Sequence, residues 1–383
     1  MENEAKKSGQ RKPLTKRQKK GTILFVVLLV AVAGLLWLFV AGGGRNWDAL
    51  LRWTRFGNQE VIIGYEPGSV DQGEGFGSGL VTLNGTSLTI YNPDGDVSTT
   101  VAVKLSQPML QTARSHVLAY DAGGTNLTVI SDAGDQVLER ESEGTIFDAD
   151  LEPDGGVAVI SEGSGDKTLL RVYNKNQKNI YTIHSTTRYY SRCALQPGSG
   201  QVAVVALGQQ DGAFASTLVL YATDREGAQA EVDLGSQLIL DVEYLSKDLI
   251  CAVGEGKVIL LNSKGQIQGS YVCDGDLVTY DYSHKGYVAL VMRSSQGGGG
   301  WNLVTVNDKG KEIARVALAQ EVTDLSVTGK YVAVLTPSVL TVYSRELEIW
   351  STHVHVSGYS HVSMNDDGSA FLVGSEDARR FVP

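Results

Sequence analysis

The sequence predicts an all-β protein: a β-propeller of about eight four-stranded blades, or alternatively seven, behind an N-terminal transmembrane helix. Three observations predict it. A strand-and-turn pattern recurs at regular spacing, the composition favours strands, and a long apolar segment follows a basic N-terminus. The chain has 383 residues, with 44 Gly, 16 Tyr and only 8 Pro. Such a composition, with turn residues spread evenly, is typical of β proteins.

The repeat is an apolar strand that ends in a turn. LTIYNPDG at Leu88 and LTVISDAG at Leu127 are two copies, 39 residues apart. A repeat of about 42 residues is typical of propeller blades, each of which is a four-stranded antiparallel sheet. Seven copies occur, with a mean step of 42 residues, and they begin at Leu88, Leu127, Leu170, Leu218, Val258, Leu303 and Leu340.

The two ends of the chain are predicted to complete one blade. Residues 359–382 form an eighth unit that has inner strands but no outer one, and EVIIGYE at residues 60–66 is an isolated strand. Pairing of the first and last strands would close the ring and remove an exposed sheet edge. The count is therefore eight blades, or seven if the first and last units merge.

The N-terminal region predicts a membrane anchor. Residues 1–20 form a basic tail, and residues 21–41 contain no charge. At 1.5 Å per residue, an apolar helix of that length spans the roughly 30 Å hydrocarbon core. The lysines and arginines place the tail in the cytoplasm, which puts the propeller, residues 59–383, outside the cell membrane behind a linker at 42–58. A cleaved signal peptide is the alternative, although the apolar run is longer than such peptides need.

The charge distribution disfavours nucleic acid as a partner. The first 41 residues carry +6 and the remainder −16, within a total of −10. An acidic body of this kind repels a phosphate backbone. The three cysteines, Cys193, Cys251 and Cys273, lie in apolar strand-like runs and are expected to be buried thiols.

The anchor, the stretch HVLAYDAGGTNLTVISDAGD at residues 116–135 and the repeated VYN, LYA and VND turns carry a family resemblance. The chain resembles an uncharacterised family of membrane-anchored, propeller-like proteins of Gram-positive bacteria, which is a domain of unknown function. The resemblance implies the fold and the membrane topology. It implies no activity and no set of site residues.

The sequence predicts no catalytic set, no cofactor and no metal site. EGSGDKT at residues 162–168 lacks the spacing of a phosphate loop and leads into a strand. His353 and His355 would share one face of an outer strand, but no third ligand accompanies them. NPDGD at residues 92–96 is first of all a tight turn.

One recurrence suggests a working face. Asp148, Asp241, Asp281 and Asp324 come near the start of the innermost strands of four units. In a propeller these strands begin around one mouth of the channel, so the carboxylates would form a partial acidic ring that binds a cation or a cationic ligand. The alternative is that each Asp caps a turn between blades by accepting a backbone N–H bond.

Two predicted loops at the same mouth carry aromatic residues. GQQDGAFAS at residues 208–216 holds Phe214, and RSSQGGGGWN at residues 293–302 holds Trp301. Exposed aromatic rings mark binding surfaces. The alternative is that each ring packs inward at the start of a strand.

These features favour a binding or scaffolding module at the cell envelope. The bilayer would hold residues 21–41, and the partner would be a protein or an envelope polymer. The alternative function is a quinone-dependent dehydrogenase-like propeller enzyme. Such an enzyme would carry a tryptophan in most blades, whereas only Trp301 and Trp350 lie in the blades of this chain.

Overall fold

Eight four-stranded antiparallel sheets follow one another around a ring in a computed structural model of the protein. The structure describes residues 61–198, 200–210, 212–294, 299–365 and 369–381. All regular secondary structure within these residues is strand. The prediction of an all-β propeller with eight blades is therefore confirmed.

The strands of the first four blades run in chain order from the innermost to the outermost. They are β2 (Gln72–Phe76), β3 (Gly79–Leu83), β4 (Ser87–Tyr91) and β5 (Val97–Ala102) in blade 1; β6 (Pro108–Thr112), β7 (His116–Asp121), β8 (Asn126–Ser131) and β9 (Gln136–Glu141) in blade 2; β10 (Ile146–Leu151), β11 (Val157–Ser161), β12 (Thr168–Tyr173) and β13 (Asn179–Ser185) in blade 3; and β14 (Tyr189–Leu195), β15 (Gln201–Gln210), β16 (Ala213–Ala222) and β17 (Ala228–Gly235) in blade 4.

The last four blades follow the same order, except that the outer strand of blade 8 is β1 (Val61–Gly64). They are β18 (Ile239–Ser246), β19 (Leu249–Gly254), β20 (Lys257–Asn262) and β21 (Ile267–Val272) in blade 5; β22 (Gly275–Ser283), β23 (Tyr287–Ser294), β24 (Trp301–Asn307) and β25 (Glu312–Leu318) in blade 6; β26 (Asp324–Thr328), β27 (Tyr331–Leu335), β28 (Val339–Ser344) and β29 (Ile349–Val354) in blade 7; and β30 (Tyr359–Met364), β31 (Ala370–Gly374) and β32 (Asp377–Phe381) in blade 8.

The repeated sequence pattern is the third strand of a blade and the turn that follows it. In four blades an Asn is the last residue of this strand or the residue directly after it, and its side-chain oxygen accepts hydrogen bonds from the backbone N–H groups two and four residues later. Asn92, for example, accepts from Asp94 and Asp96, both at 2.9 Å. The others are Asn174, Asn262 and Asn307. A side chain that satisfies two turn donors is the physical reason for the recurring Asn.

The ring closes through the predicted pairing of the chain ends. β1 pairs antiparallel with β32, and Val61 lies opposite Arg380 while Gly64 lies opposite Asp377. The Tyr65 hydroxyl lies 2.7 Å from the carbonyl oxygens of both Gly374 and Asp377. The closure prediction is confirmed, and the seven-blade alternative is wrong.

The hydrophobic core is divided into clusters that lie between neighbouring blades. A typical cluster, between blades 4 and 5, includes Leu218, Leu220, Ile250 and Leu261. The cluster that joins blade 8 to blade 1 has the fewest buried members, namely Ile63, Leu80, Phe371, Val373 and Ala378. Ile63 comes from β1, so the smallest interface depends on the closing strand.

The cysteine prediction holds for two of the three thiols. Cys193 and Cys251 are free and buried, and Cys273 is free and half-buried. Burial raises the pKa of each thiol. They therefore act as small apolar side chains between the blades.

The predicted tail, transmembrane helix and linker, residues 1–58, lie outside the described residues. No helix among the residues that the structure does describe is long and apolar enough to cross a membrane. The ring belongs to one unit, Glu60–Pro383.

Candidate functional site

The central channel is lined by the first strands of the blades. First strands of neighbouring blades contact each other, as β10 does with β14 and β26 does with β30. We call the end of the channel at which these strands begin the upper mouth. It also carries the loops that join second to third strands, because the strands of each blade run antiparallel.

A β-bulge sets the register of the first strand in five blades. It lies at Phe147, Ser191, Leu240, Val278 and Ser360. Residues that are two apart on a strand share one face. The residue after the bulge and the residue two positions later therefore form two tiers of side chains in the channel.

Hydrogen bonds to the next blade identify the equivalent residues where the bulge is absent. The upper tier, in order of blades 1 to 8, is Gln72, Met109, Asp148, Arg192, Asp241, Thr279, Asp324 and His361. The lower tier is Glu74, Gln111, Asp150, Ala194, Glu243, Asp281, Ser326 and Ser363.

Three of the four predicted aspartates share the upper tier, and the fourth does not. Asp148, Asp241 and Asp324 occupy it. Asp281 lies one tier deeper than predicted, because the bulge at Val278 puts Thr279 in the upper position of blade 6. The expectation that all four begin their strands at the same level is therefore wrong for Asp281.

Three of the aspartates also fasten one blade to the next. The carboxylate of Asp148 accepts from the Cys193 N–H at 2.8 Å. Asp324 accepts from the Val362 N–H at 2.8 Å, and Asp281 accepts from the Val327 N–H at 2.5 Å. The three donors lie within first strands and not in turns, so these bonds join neighbouring blades and differ from the turn caps of the alternative interpretation.

Asp241 is bound differently. One of its oxygens accepts from the N–H of the next residue, Val242, at 2.8 Å, and the other lies 3.3 Å from the Tyr282 hydroxyl. Among the described residues, no backbone N–H of the next blade donates to Asp241 as that of Cys193 does to Asp148. Its contact with the next blade is through a side chain.

The lower tier forms a belt of fasteners that is interrupted at two blades. Lower-tier side chains accept a backbone N–H bond from the next blade at six interfaces: Glu74 from Thr112, Gln111 from Leu151, Asp150 from Leu195, Asp281 from Val327, Ser326 from Met364 and Ser363 from Gly75. Ala194 in blade 4 has no polar group for such a bond. Glu243 in blade 5 makes no bond of this kind among the described residues.

Burial is the main influence on the titration of the channel carboxylates. It raises the pKa of Asp148 to about 8, that of Asp281 to about 7 and that of Asp241 to about 6. It also raises the pKa of Glu74 to about 7. The backbone N–H bonds act in the opposite direction, since they favour the charged form.

Neighbouring carboxylates raise these pKa values further. Asp241 acts on Asp148 across blade 4, and Asp324 acts on Glu74 across blade 8. Glu243 has its pKa raised well above the usual range by burial, and then by the charges of Asp150 and Asp241. Carboxyl groups from blades that are not adjacent therefore interact with each other across the channel.

Two basic side chains belong to the upper tier. The Arg192 guanidinium donates from Nε to the Leu240 carbonyl at 2.6 Å and from Nη1 to the Ser191 carbonyl at 2.8 Å. His361 Nδ1 lies 3.6 Å from the Asp324 carboxylate, which raises the pKa of the imidazole. The carboxylates of the two tiers outnumber these groups, so the channel is acidic.

Exposed apolar side chains surround this channel at the upper mouth. Large exposed apolar residues among the described part of the chain fall into two groups. One lies on the outermost strands: Ile62, Val97, Val137, Ile267, Val272, Ile349 and Val354. The other, which we call the rim, lies at the upper mouth: Met109, Phe147, Tyr189, Phe214, Leu238 and Val278. None of the described ones lies in a loop at the opposite mouth.

The two predicted aromatic loop residues have different surroundings. Phe214 is 42% exposed and belongs to the rim. Its segment is mostly a strand pair rather than the predicted loop, because Gln209 pairs with Phe214 as β15 and β16 continue. Trp301 begins β24, and its ring packs against the core between blades 6 and 7. Of the two, only Phe214 presents an exposed ring.

The two histidines of the outer strand of blade 7 do not share a face. His353 lies in β29, and its ring centroid is 5.0 Å from that of Phe381. His355 follows the end of β29 and has a left-handed backbone, with φ of 65°. Within the residues that the structure describes, no three His, Cys, Asp or Glu side chains are placed to hold one metal ion.

A model of one protein family matches this sequence over most of its length. The family of unknown function DUF5711 matches residues 53–349. The chain belongs to this family. The resemblance to a family of unknown function is thereby confirmed, while the membrane anchoring that it implied stays a prediction. No curated protein sequence matches the chain.

The fold of this DUF5711 protein is similar to that of solved propellers. The C-terminal WD40 domain of Sif2 has a TM-score of 0.60 at 10% identity, over 84% of this chain and 99% of that one. BamB from Moraxella catarrhalis has a TM-score of 0.53 at 12% identity, again over 84% and 99%. A eukaryotic initiation factor has a TM-score of 0.54 at 11% identity, over 82% and 84%. At these identities the likeness concerns the fold alone.

Several channel residues of the DUF5711 propeller were not predicted. Glu74, Asp150 and Glu243 line the lower tier, and Arg192 joins the upper tier. A signal for Asp150 and Glu243 exists in the sequence, because each lies two residues after a predicted Asp and so shares its strand face. Glu74 and Arg192 have no such signal.

Proposed function

We propose that this protein is a binding or scaffolding module at the cell envelope, held in the membrane by residues 21–41 with the propeller outside. The observation that carries the proposal is the rim. Exposed apolar side chains gathered at one mouth mark an interaction surface on a soluble domain. A rigid ring that presents such a surface suits a scaffold that holds a partner in a fixed position.

The asymmetry between the two mouths supports a single working face. The rim residues belong to blades 2 to 6 and are grouped around the acidic channel. The opposite mouth carries polar turns such as those capped by Asn92 and Asn262. We expect the partner to contact the upper mouth and to leave the opposite mouth free.

Photo-crosslinking in intact cells tests this role. A benzophenone derivative of phenylalanine in place of Phe147 or Tyr189 should yield a discrete crosslinked protein band, because both side chains lie on the rim. The matched control is the same group in place of Val272, which is 68% exposed on an outermost strand. Equal crosslinking at Val272, or no adduct from either rim position, would contradict a partner at the upper mouth.

Protease accessibility tests the location. Because basic residues precede the apolar segment, we expect the propeller to face outward. Protease added to intact cells should release a soluble fragment that begins between residues 42 and 58. A fragment that stays protected until the cells are lysed would reverse the proposed orientation.

A further inference from the structure

We propose that the upper mouth binds a protein segment that inserts a lysine or arginine side chain into the channel and lays apolar side chains on the rim. This inference rests on the proposed function, and it adds the chemistry of the partner. It concerns the rim together with the two tiers below it.

The rim provides the apolar part of the surface. Met109, Phe147, Tyr189, Leu238 and Val278 come from five consecutive blades, so they form an arc around one side of the channel. Tyr189 is 53% exposed, and the Lys167 ammonium lies 5.0 Å from its ring centroid. An arc of separate apolar side chains can contact a segment of a partner at several points.

The channel provides charge complementarity inside that arc. Asp148 and Asp241 lie in the upper tier of blades 3 and 5, directly within the arc, and Asp150 and Glu243 lie in the tier below. Two residues of a strand separate the tiers by roughly 7 Å. A basic side chain that enters from the mouth therefore passes carboxylates at two depths.

The interruption of the lower belt leaves the Glu243 carboxylate without a backbone bond to the next blade among the described residues; its backbone partner is Tyr244, on its own strand. Each of the other lower-tier carboxylates accepts a backbone N–H from the next blade. Glu243 lacks such a bond among the described residues, and its neighbour in blade 4 is Ala194, which fills little space. Burial and then the charges of Asp150 and Asp241 raise the pKa of Glu243, and a cation at this point would favour its ionised form.

A flexible basic side chain suits this arrangement better than other cationic or anionic ligands. Lysine and arginine have apolar stems that can cross an apolar rim while the charged end reaches the carboxylates. Anionic polymers and anionic lipid headgroups would be repelled by the channel. A free metal ion would make no use of the rim.

Selection from a displayed library of random twelve-residue peptides tests the inference, with the full chain in lipid nanodiscs as the target. Enriched peptides should contain Lys or Arg beside Leu, Phe, Tyr or Trp. A synthetic enriched peptide should lose affinity roughly tenfold or more when its basic residue is replaced by glutamine, and its binding should weaken as salt rises. Enrichment of neutral or acidic peptides would overturn the inference.

Variants of the propeller locate the bound peptide. Glu243→Gln should weaken the same synthetic peptide roughly fivefold or more and should not lower the melting temperature of the ring, since Glu243 accepts no backbone N–H from a neighbouring blade among the described residues. Phe147→Ser should also weaken it, whereas Val272→Ser should not. Unchanged affinity in Glu243→Gln would overturn insertion into the channel.

The two levels of proposal can fail separately. Crosslinks from Phe147 together with selection of peptides that lack basic residues would leave the binding role standing and reject the basic side chain. Loss of the crosslinks would reject both. The substitution within the peptide changes no residue of the propeller, so it tests the chemistry independently of folding.

Discussion

Removal of residues 60–66 is expected to lower the melting temperature of the propeller by at least about 5 °C, or to cause aggregation. The deletion removes β1, which pairs with β32 along Val61 to Gly64. It also removes Ile63, which is 3% exposed, and burial of such a side chain contributes about 2 kcal/mol. The hydrogen bond of the Tyr65 hydroxyl, whose single hydrogen lies within reach of the Gly374 and Asp377 carbonyl oxygens, is lost as well, at about 1 kcal/mol.

The effect is large because the pairing of β1 with β32 is what joins the two ends of the chain and closes the ring. The cluster between blades 8 and 1 is the smallest of the ring, and Ile63 is one of its buried members. Without β1, the strand β32 becomes an exposed edge that can pair with another chain. Thermal melts of chains that begin at residue 57 and at residue 67 measure the difference, and equal melting temperatures would exclude this closure.

Two neighbouring isoleucines supply a matched control. Ile63→Ala should cost about 2–4 kcal/mol of unfolding free energy, since it leaves a cavity in the closing cluster. Ile62→Ala should cost less than about 0.5 kcal/mol, because Ile62 is 59% exposed on the same strand. Similar losses of unfolding free energy in the two variants would show that the packing of Ile63 does not contribute to the closure.

The second large effect concerns pH. The folded pKa is raised to about 8 for Asp148 and to about 7 for Asp281, against 3.8 for an ordinary Asp. A raised folded pKa contributes stability that is fully present below the unfolded pKa and is lost as pH rises through the folded pKa. We therefore expect the free energy of unfolding to fall between about pH 4 and pH 8.

Replacement of these aspartates by neutral residues should remove part of the stability that is lost as pH rises. In the variant Asp148→Asn with Asp281→Asn, each amide oxygen can still accept the N–H of Cys193 or Val327, while the buried charge is gone. We expect this variant to be more stable than the natural protein at pH 8.5, by on the order of 2 kcal/mol, and the gap to shrink towards pH 4. Urea denaturation at the two pH values measures it.

Two comparisons separate charge from fastening. The double replacement by Ala removes the same charges together with both bonds, so it should be less stable than the Asn variant by about 1–3 kcal/mol for each N–H left without a partner. Asp132→Asn changes one charge in an exposed turn and should leave the pH dependence as it is. If the free energy of unfolding rises from pH 5 to pH 8 in both the natural protein and the Asn variant, the buried-charge account is contradicted. The Arg192 charge lowers the pKa of Asp148, so both variants keep Arg192 unchanged.

The sequence determined the architecture because blade spacing is a local property. The copies that begin at Leu88 and Leu127 are third strands, and the Asn in several copies caps the turn that follows through its own side chain. The closing strand was also predictable, since EVIIGYE lacks a partner nearby and residues 359–382 lack an outer strand. These features need only short-range patterns and the count of strands in a blade.

The tertiary structure alone decided the level at which each channel residue stands. A bulge of one residue moves all later side chains along the strand, and Val278 therefore placed Asp281 beside Glu243 rather than beside Asp241. The bonds from these carboxylates run to blades some 40 residues away, such as that from Val327 to Asp281. The rim likewise depended on exposure, which left Phe214 open and placed Trp301 against the core. Register and burial arise from packing between blades, so no pattern within a single repeat contains them.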